Sequence, residues 1–239
     1  DIDLDDKLAK SKISKRTLLS IILVSFSGEI AWAVENQYFN LFIYNKIAPV
    51  PFYVSLLVSI TAVVSTLTTN LMGALSDSKG KRRIFLIIGM VFFTITTALF
   101  PISAFFKFSV IFAVFMAILF DSIMTFFGAT TTDATLNAYV TDITTLENRG
   151  KIGAIKEITF FLALLVIYGI SGLLIEAVDF YLYFFIIAAI TGILGIPGAI
   201  LTPEPENLKP NELGYWETIR NMFSVKTLKE NRDLFLILL

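Results

Sequence analysis

The chain has 239 residues, of which 56% are hydrophobic and only 16% are charged, and its formal net charge is −1. Soluble domains are about 45–50% apolar and about 25% charged, so a soluble fold of this size would leave too much apolar surface in water. There is no cysteine and no histidine, which excludes a disulfide framework and removes the commonest metal ligand. We therefore expect an integral membrane protein that is neither an enzyme nor a metal protein.

Residues 1–16 are charged and polar, and we expect a cytosolic tail there. Six apolar segments follow, and each is long enough for the roughly 20 residues that a membrane-crossing helix requires. They predict an all-α integral membrane domain over residues 17–201. The segments are 17–44, 53–75, 84–106, 108–132, 152–175 and 181–201.

The last part of the chain is more polar. Residues 202–233 are expected to form a cytosolic linker, and the pattern fits a helix on the membrane surface as well as a solvated connection. Residues 234–239 are apolar and have the composition of a seventh helix cut short. The sequence thus predicts a fragment or one domain of a longer chain.

The positions of Lys and Arg predict the orientation in the membrane. Of the 19 basic residues, all but Lys46 and Lys107 lie in the terminal segments or near the loops that follow the second and fourth apolar segments. Because basic residues favour the cytosolic side, both termini are expected in the cytosol of a multi-pass protein of the plasma membrane. The lipid bilayer is then an obligatory partner, and nucleic acid is not expected as one.

A glycine-punctuated, strongly charged hairpin joins the second and third segments. Gly73 is interpreted as allowing a close backbone approach, and Gly80 as providing a turn. Asp77 is expected to pair with a cation or a helix-terminal N–H group. The basic residues of the hairpin are expected to hold it at the anionic inner leaflet, and they are Lys81, Arg82 and Arg83.

This hairpin resembles the signature loop of the major facilitator superfamily, in which Gly, three residues, Asp, two residues, Gly and basic residues lie between helices 2 and 3. Ser78 stands where the family usually has Arg. A second similarity follows the fourth segment, at Asp142 and at the run Glu147-Asn148-Arg149-Gly150. The resemblance implies the N-terminal half of a twelve-helix carrier, built as two inverted three-helix repeats, with a C-terminal six-helix half expected beyond it.

In that family the two cytosolic loops form a charge cluster that latches the halves together. The resemblance therefore implies a cytosolic gate that does not touch the solute. Its candidate residues are Gly73, Asp77, Gly80, Lys81, Arg82, Asp142, Glu147 and Arg149.

Polar residues inside the apolar segments need a reason, because a charge at the bilayer centre costs about 2.5–3.5 kcal/mol on insertion scales. Helical spacing places four of them on one face of the first segment and two on one face of the fourth. Both faces are expected to line a shared hydrated crevice, with the second, third and sixth segments as scaffold. The candidate binding residues are Glu29, Trp32, Asn36, Asn40, Asp121 and Thr125, with Glu35, Gln37, Asp133 and Tyr139 as further candidates.

These residues favour a secondary active transporter that works by alternating access. Carboxylates without a fixed internal cation suit H⁺ or Na⁺ as the coupling ion, and no other cofactor is expected. Amide and hydroxyl groups suit a sugar or another small polar solute. Residues 28–40, together with residues 80–83, are also similar to the sucrose/proton and glycoside–pentoside–hexuronide cation symporters, which implies symport of a sugar.

Two alternatives remain open at this point. Proton-coupled efflux of a drug or metabolite would use the same acidic crevice. A membrane scaffold or receptor that transports nothing is the alternative of a different class.

Overall fold

The computed structural model describes residues 13–205, 208–211 and 214–222, and within these ranges every regular element is a helix. Five helices are long and apolar enough to cross a membrane, and a short sixth follows. They are α1 (Lys15–Ile47), α2 (Pro51–Lys79), α3 (Arg83–Phe105), α4 (Val110–Ile143), α5 (Arg149–Leu201) and α6 (Tyr215–Met222). The expectation of an all-α membrane protein is confirmed. Most of the predicted tail and the whole predicted start of a seventh helix, 234–239, lie outside the described residues.

Helix α5 has 53 residues, which would make it about 80 Å long if it were straight, more than twice the thickness of a bilayer core. It is interrupted at Asp179, whose backbone is not helical (φ 62°, ψ 163°). The hydroxyl of Tyr183 donates to Ser171 Oγ at 2.8 Å, although residues twelve apart on a straight helix are about 18 Å apart along its axis. The two arms, 149–178 and 180–201, therefore fold back on each other. The break falls between the predicted segments 152–175 and 181–201.

The second arm of α5 packs against α1 and α3 through glycines. A Cβ on Gly195 would lie 2.5 Å from both Ser27 Oγ and Met90 Sδ, and one on Gly198 would lie 2.8 Å from Leu23 Cβ. Small residues permit such close helix packing in membranes. Helix α3 and the second arm of α5 therefore pack tightly against one side of α1. The opposite face of α1 lines the cavity described below.

The middle of α1 and of α4 contains wide π-helical turns, at Glu35–Phe39 and Ala129–Leu136. Such turns are frequent at functional sites, because they redirect side chains and loosen the backbone hydrogen-bond ladder. Helix α4 also continues well beyond the predicted end of the fourth segment at residue 132. The residues after Thr132 are more polar, so the apolar segment ends earlier in the sequence than the helix does.

Contacts at the helix ends show which ends lie together. Arg16 Nε donates to the carbonyl of Leu201 at 3.0 Å, and Arg83 Nη2 donates to the carbonyl of Ile200 at 2.8 Å. At the opposite end of the molecule, Lys46 Nζ lies 2.9 Å from Asp179 Oδ1. The start of α1, the start of α3 and the end of α5 thus share one end with the charged hairpin.

Candidate functional site

A cavity of about 570 Å³ lies between α1, α2, α4 and the first arm of α5. Its walls combine three carboxylates with amides, hydroxyls and aromatic rings, so it offers both charge and stacking surfaces. Such cavities between helices are where small molecules commonly bind. The lining residues are Glu29, Trp32, Ala33, Glu35, Asn36, Asn40, Val58, Thr61, Ala62, Ser65, Thr125, Asp133, Phe160, Leu164 and Tyr168.

Two walls of this cavity were not expected. The residues of α2 that line the cavity lie three or four positions apart, so they share one face of the helix. The expectation that this segment is only scaffold is therefore wrong. Thr61 and Ser65, two hydroxyl residues four apart in the middle of this helix, were the available signal. On α5, Phe160, Leu164 and Tyr168 are also four residues apart and share one face.

The contact between α1 and α4 fixes the carboxylates in place. Trp32 Nε1 donates to Thr132 Oγ1 at 2.8 Å, and Thr132 Oγ1 lies 2.9 Å from Asp133 Oδ1. Glycines bring the helices close, since a Cβ on Gly28 would lie 2.5 Å from Thr132 Cγ2. A Cβ on Gly128 would lie 2.9 Å from Trp32 Cζ2. This crossing therefore leaves no room for a larger side chain at either glycine.

Glu29 is half-buried and faces charges from two other helices: Asp133 of α4, and Lys156 and Glu157 of α5. Asp133 in turn accepts a hydrogen bond from Thr132, and it also faces Ser65 and Lys156. Lys156 donates to Asn137 Oδ1. The expectation that the carboxylates lack a fixed internal cation is therefore wrong.

Asp121 lies off the cavity wall. It is 0% exposed, and neither of its carboxylate oxygens has a hydrogen-bond partner among the described residues. It interacts electrostatically with Glu35, and Thr125, one turn further along α4, also has an unpartnered hydroxyl. The cavity thus brings Glu29 together with Asp133 and Glu35, whereas Asp121 is buried behind it.

Of the remaining candidates, two line the cavity and two do not. The amide groups of Asn36 and Asn40 lie on the wall and donate to the carbonyls of Trp32 and Asn36 at 2.8 and 2.7 Å. Within the described part of the chain, the side-chain oxygen of Asn40 is buried and accepts no hydrogen bond. Gln37 is exposed and Tyr139 is fully buried, and neither is part of the cavity wall.

A second polar site lies at the end that holds the charged hairpin. Arg82 is 3% exposed, and its Nε donates to Asp142 Oδ2 at 2.8 Å while its Nη2 lies 2.6 Å from Asp77 Oδ1. Nη1 also donates to Ser76 Oγ. Burial disfavours the charged guanidinium, but the hydrogen bonds and charges of Asp142 and Asp77 outweigh that effect, so the pKa of Arg82 is raised. We call Asp77, Arg82 and Asp142 the charge cluster.

The segment after α5 covers this cluster. The carboxylate of Glu204 accepts hydrogen bonds from the backbone N–H groups of Arg82 and Arg83 at 2.9 and 3.1 Å. Glu204 thereby caps the start of α3, where a negative charge is favourable. Sequence reasoning missed it, because its partners are more than a hundred residues away in the chain.

Gly80 has φ 59° and ends α2, as expected for a turn glycine, and a Cβ there would lie 2.7 Å from the backbone nitrogen of Pro210. Gly73 does not make the expected close approach, since a Cβ there would meet only Ala134 at 4.0 Å.

The other charged gate candidates lie outside the charge cluster. Lys81 and Glu147 are exposed, and Glu147 forms no ion pair within the described residues. The side chain of Arg149 donates from Nε to the Thr144 hydroxyl at 3.4 Å.

A bundle of apolar helices around a polar cavity, with a buried charge cluster at one end, is the architecture of a multi-pass membrane protein with an internal cavity. The family model described as Major Facilitator Superfamily matches residues 17–239, nearly the whole chain, and the chain belongs to that family. It is a family of transporters and not of enzymes. No curated protein matches the chain at a significant level.

Proposed function

We propose that this protein couples the uptake of a small neutral polar solute, with sugars as the favoured class, to the entry of H⁺ or Na⁺ by alternating access. The observation that carries the proposal is the cavity of about 570 Å³, whose wall holds Glu29, Glu35 and Asp133. Carboxylates at this depth in a membrane are costly, and ion pathways are the usual reason for them.

The architecture in this proposal is the N-terminal half of a twelve-helix carrier. Helices α1 to α3 form one three-helix repeat, and α4 with the two arms of α5 forms the inverted second repeat. Equivalent positions in the repeats would explain why α1 and α4 both contain wide turns and both contribute carboxylates to the cavity. The C-terminal half would supply the opposite wall, and both termini would lie on the cytosolic side of the plasma membrane.

In the cavity, the polar and aromatic groups have separate roles. Glu29, Glu35 and Asp133 bind the coupling ion, with Asp121 as a buried neighbour. Amides and hydroxyls hydrogen-bond the solute, and they come from Asn36, Asn40, Thr61, Ser65 and Thr125. The rings of Trp32, Phe160 and Tyr168 provide apolar faces on which the C–H surface of a sugar packs.

The charge cluster acts as the cytosolic gate in this proposal. Arg82 holds the hairpin, through Asp77, against the end of α4, through Asp142. A buried guanidinium with two carboxylate partners has one favoured geometry, so the cluster would stabilise one of the alternating states. The family motif adds Gly73, Gly80 and Lys81 to the hairpin, and Glu147 and Arg149 to the α4–α5 loop.

Proton-coupled efflux remains a second candidate, because the cavity joins three carboxylates to aromatic rings, and that combination attracts cationic amphiphiles. The test uses the complete transporter in proteoliposomes with an imposed H⁺ or Na⁺ gradient. We expect radiolabelled sucrose, glucose or xylose to accumulate along the ion gradient. Movement of a cationic dye against the proton gradient would favour efflux, and no flux of any solute would favour the scaffold.

A further inference from the structure

Lys156 contributes a fixed positive charge to the cavity region, close to Asp133. Its Nζ donates to Asn137 Oδ1, and the amide group of Asn137 donates to the backbone carbonyl of Asp133 at 3.0 Å. Asn137 is thus about one helical turn beyond Asp133 on the same face of α4, about 6 Å along the axis. On its own helix, Lys156 is four residues before Phe160, which lines the cavity. The ammonium group therefore lies beside the cytosolic side of the carboxylate pair.

The charged groups that face Glu29 and Asp133 come from α1, α4 and α5. Glu29 faces Asp133, Lys156 and Glu157. Asp133 faces Lys156 and Ser65 and accepts a hydrogen bond from Thr132. Glu157 is exposed, so solvent screens it more than the other three. Glu35, the third carboxylate of the cavity wall, faces Asp121 on the other side of the Trp32–Thr132 contact and is not counted in this group. The two carboxylates of Glu29 and Asp133 and the ammonium of Lys156 then leave a net charge of −1.

One monovalent cation then neutralises the site, and the chemistry favours a proton. A proton binds to a single carboxylate oxygen, whereas Na⁺ needs several oxygen ligands and would be repelled by the neighbouring ammonium. A neutral site crosses the low-dielectric interior at lower cost than a charged one.

We propose that Lys156 is a positioning residue that sets the coupling stoichiometry at one proton per solute, bound by the Glu29–Asp133 pair. This inference rests on the proposed function and names its coupling ion. The proton enters onto one carboxylate from the outer side and leaves from the same group to the cytosol. Lys156 keeps its own proton throughout the cycle.

The first experiment reads proton binding without any solute. Infrared spectroscopy of the complete protein in lipid follows the stretching band of the protonated carboxylic acid against pH. Loss of this band in Glu29→Gln, and its displacement to lower pH in Asp133→Asn, which removes the neighbouring negative charge, assign it to the pair. Because a nearby cation disfavours the protonated carboxyl, Lys156→Gln is expected to move the midpoint upward by at least about one pH unit, a tenfold gain in proton affinity.

Two variants separate charge from structure. Lys156→Arg keeps the charge and is expected to titrate close to the wild type. Lys151→Gln removes an exposed lysine five residues earlier on the same helix and is expected to change nothing. If Lys156→Gln does not fold, the double variant Lys156→Gln/Asp133→Asn restores the net charge of −1 and is expected to titrate near the wild-type midpoint.

The second experiment measures charge entry per labelled sugar in proteoliposomes. We expect one charge per solute in the wild type and no stimulation by Na⁺. An unchanged infrared midpoint in Lys156→Gln, a shift in Lys156→Arg as large as that in Lys156→Gln, or Na⁺-driven uptake would overturn the role of Lys156. If the titrations follow expectation but no solute moves, the proposed function fails while the assigned role of Lys156 in proton binding survives.

Discussion

Trp32 donates its indole N–H to the hydroxyl of Thr132 across 2.8 Å, and this bond marks the place where α1 crosses α4. The crossing sets the register of the antiparallel pair. On one side of it Glu29 faces Asp133, and on the other side Glu35 faces Asp121. Two pairs of neighbouring carboxylates therefore lie on either side of the same helix–helix contact.

The tight crossing predicts a stability effect at Gly128. A Cβ there would lie 2.8 Å from Phe93 Cε2 and 2.9 Å from Trp32 Cζ2, so Gly128→Ala forces two aromatic rings to move. Overpacking of this kind typically costs about 1–3 kcal/mol. We expect a lower midpoint of thermal unfolding in detergent. Gly150→Ala is the matched control, because nothing lies within 4 Å of a Cβ at that position; equal midpoints for both variants would contradict the packing.

Neighbouring phenylalanines on α5 test the wall of the cavity. Phe160 lines the cavity, whereas Phe161 is 63% exposed on another face of the helix. If the solute packs on the ring of Phe160, Phe160→Ala is expected to raise KM by about tenfold, since the loss of an aromatic contact costs about 1–2 kcal/mol. Phe161→Ala is expected to keep KM within about twofold. Initial rates of uptake over a range of solute concentrations distinguish the two, and a KM effect in Phe161→Ala alone would argue against this wall.

The charge cluster predicts a strong requirement for the guanidinium of Arg82. Arg82→Gln leaves Asp77 and Asp142 without their cation, and about 2 kcal/mol of stability is expected to be lost after allowing for the partial exposure of Asp77. Arg82→Lys is expected to restore only part of this, because lysine lacks the planar fork that reaches both carboxylates. Lys81→Gln, at an exposed neighbour, serves as the control in thermal unfolding. Equal stability of Arg82→Gln and Lys81→Gln would contradict the cluster.

Sequence reasoning could predict the features that depend on local pattern. The all-α membrane fold follows from long apolar segments, and the turn at Gly80 follows from the conformational freedom of glycine. Glu29, Trp32, Asn36 and Asn40 lie on one wall of the cavity because they follow the helical repeat.

The features it missed depend on contacts between distant segments. Glu204 caps α3 from more than a hundred residues away, and no local pattern marks a residue as a cap for another helix. Lys156 was recognised as charged, but its approach to Asn137 depends on how α5 packs against α4. The wide turn at Ala129–Leu136 changes which side chains share a face, so the 100° spacing of a regular α-helix does not predict on which side of α4 Asp133 lies.

The break in α5 predicts that replacing Asp179 by glycine does not lower the thermal stability of the protein. Its backbone lies in a region that only glycine adopts without strain, and such a conformation costs about 1–3 kcal/mol for other residues. Hydrogen bonding from Lys46 Nζ, at 3.1 Å, holds the carboxylate in place, but an exposed ion pair contributes less than about 1 kcal/mol. Asp179→Gly is therefore expected to unfold at the same temperature as the wild type or a higher one, whereas Asp179→Val unfolds earlier. A marked loss of stability in Asp179→Gly would show that the ion pair outweighs the strain.

The central claim is that the carboxylates on the cavity wall couple solute movement to an ion gradient. The most direct measurement compares gradient-driven accumulation with equilibrium exchange of labelled sugar in proteoliposomes, for the wild type, Glu29→Gln, Asp133→Asn and the exposed control Glu176→Gln. A neutral amide resembles the protonated acid, so the two cavity variants are expected to keep exchange but to lose accumulation by at least about tenfold. The control is expected to keep both activities. Wild-type accumulation in both cavity variants would contradict the account.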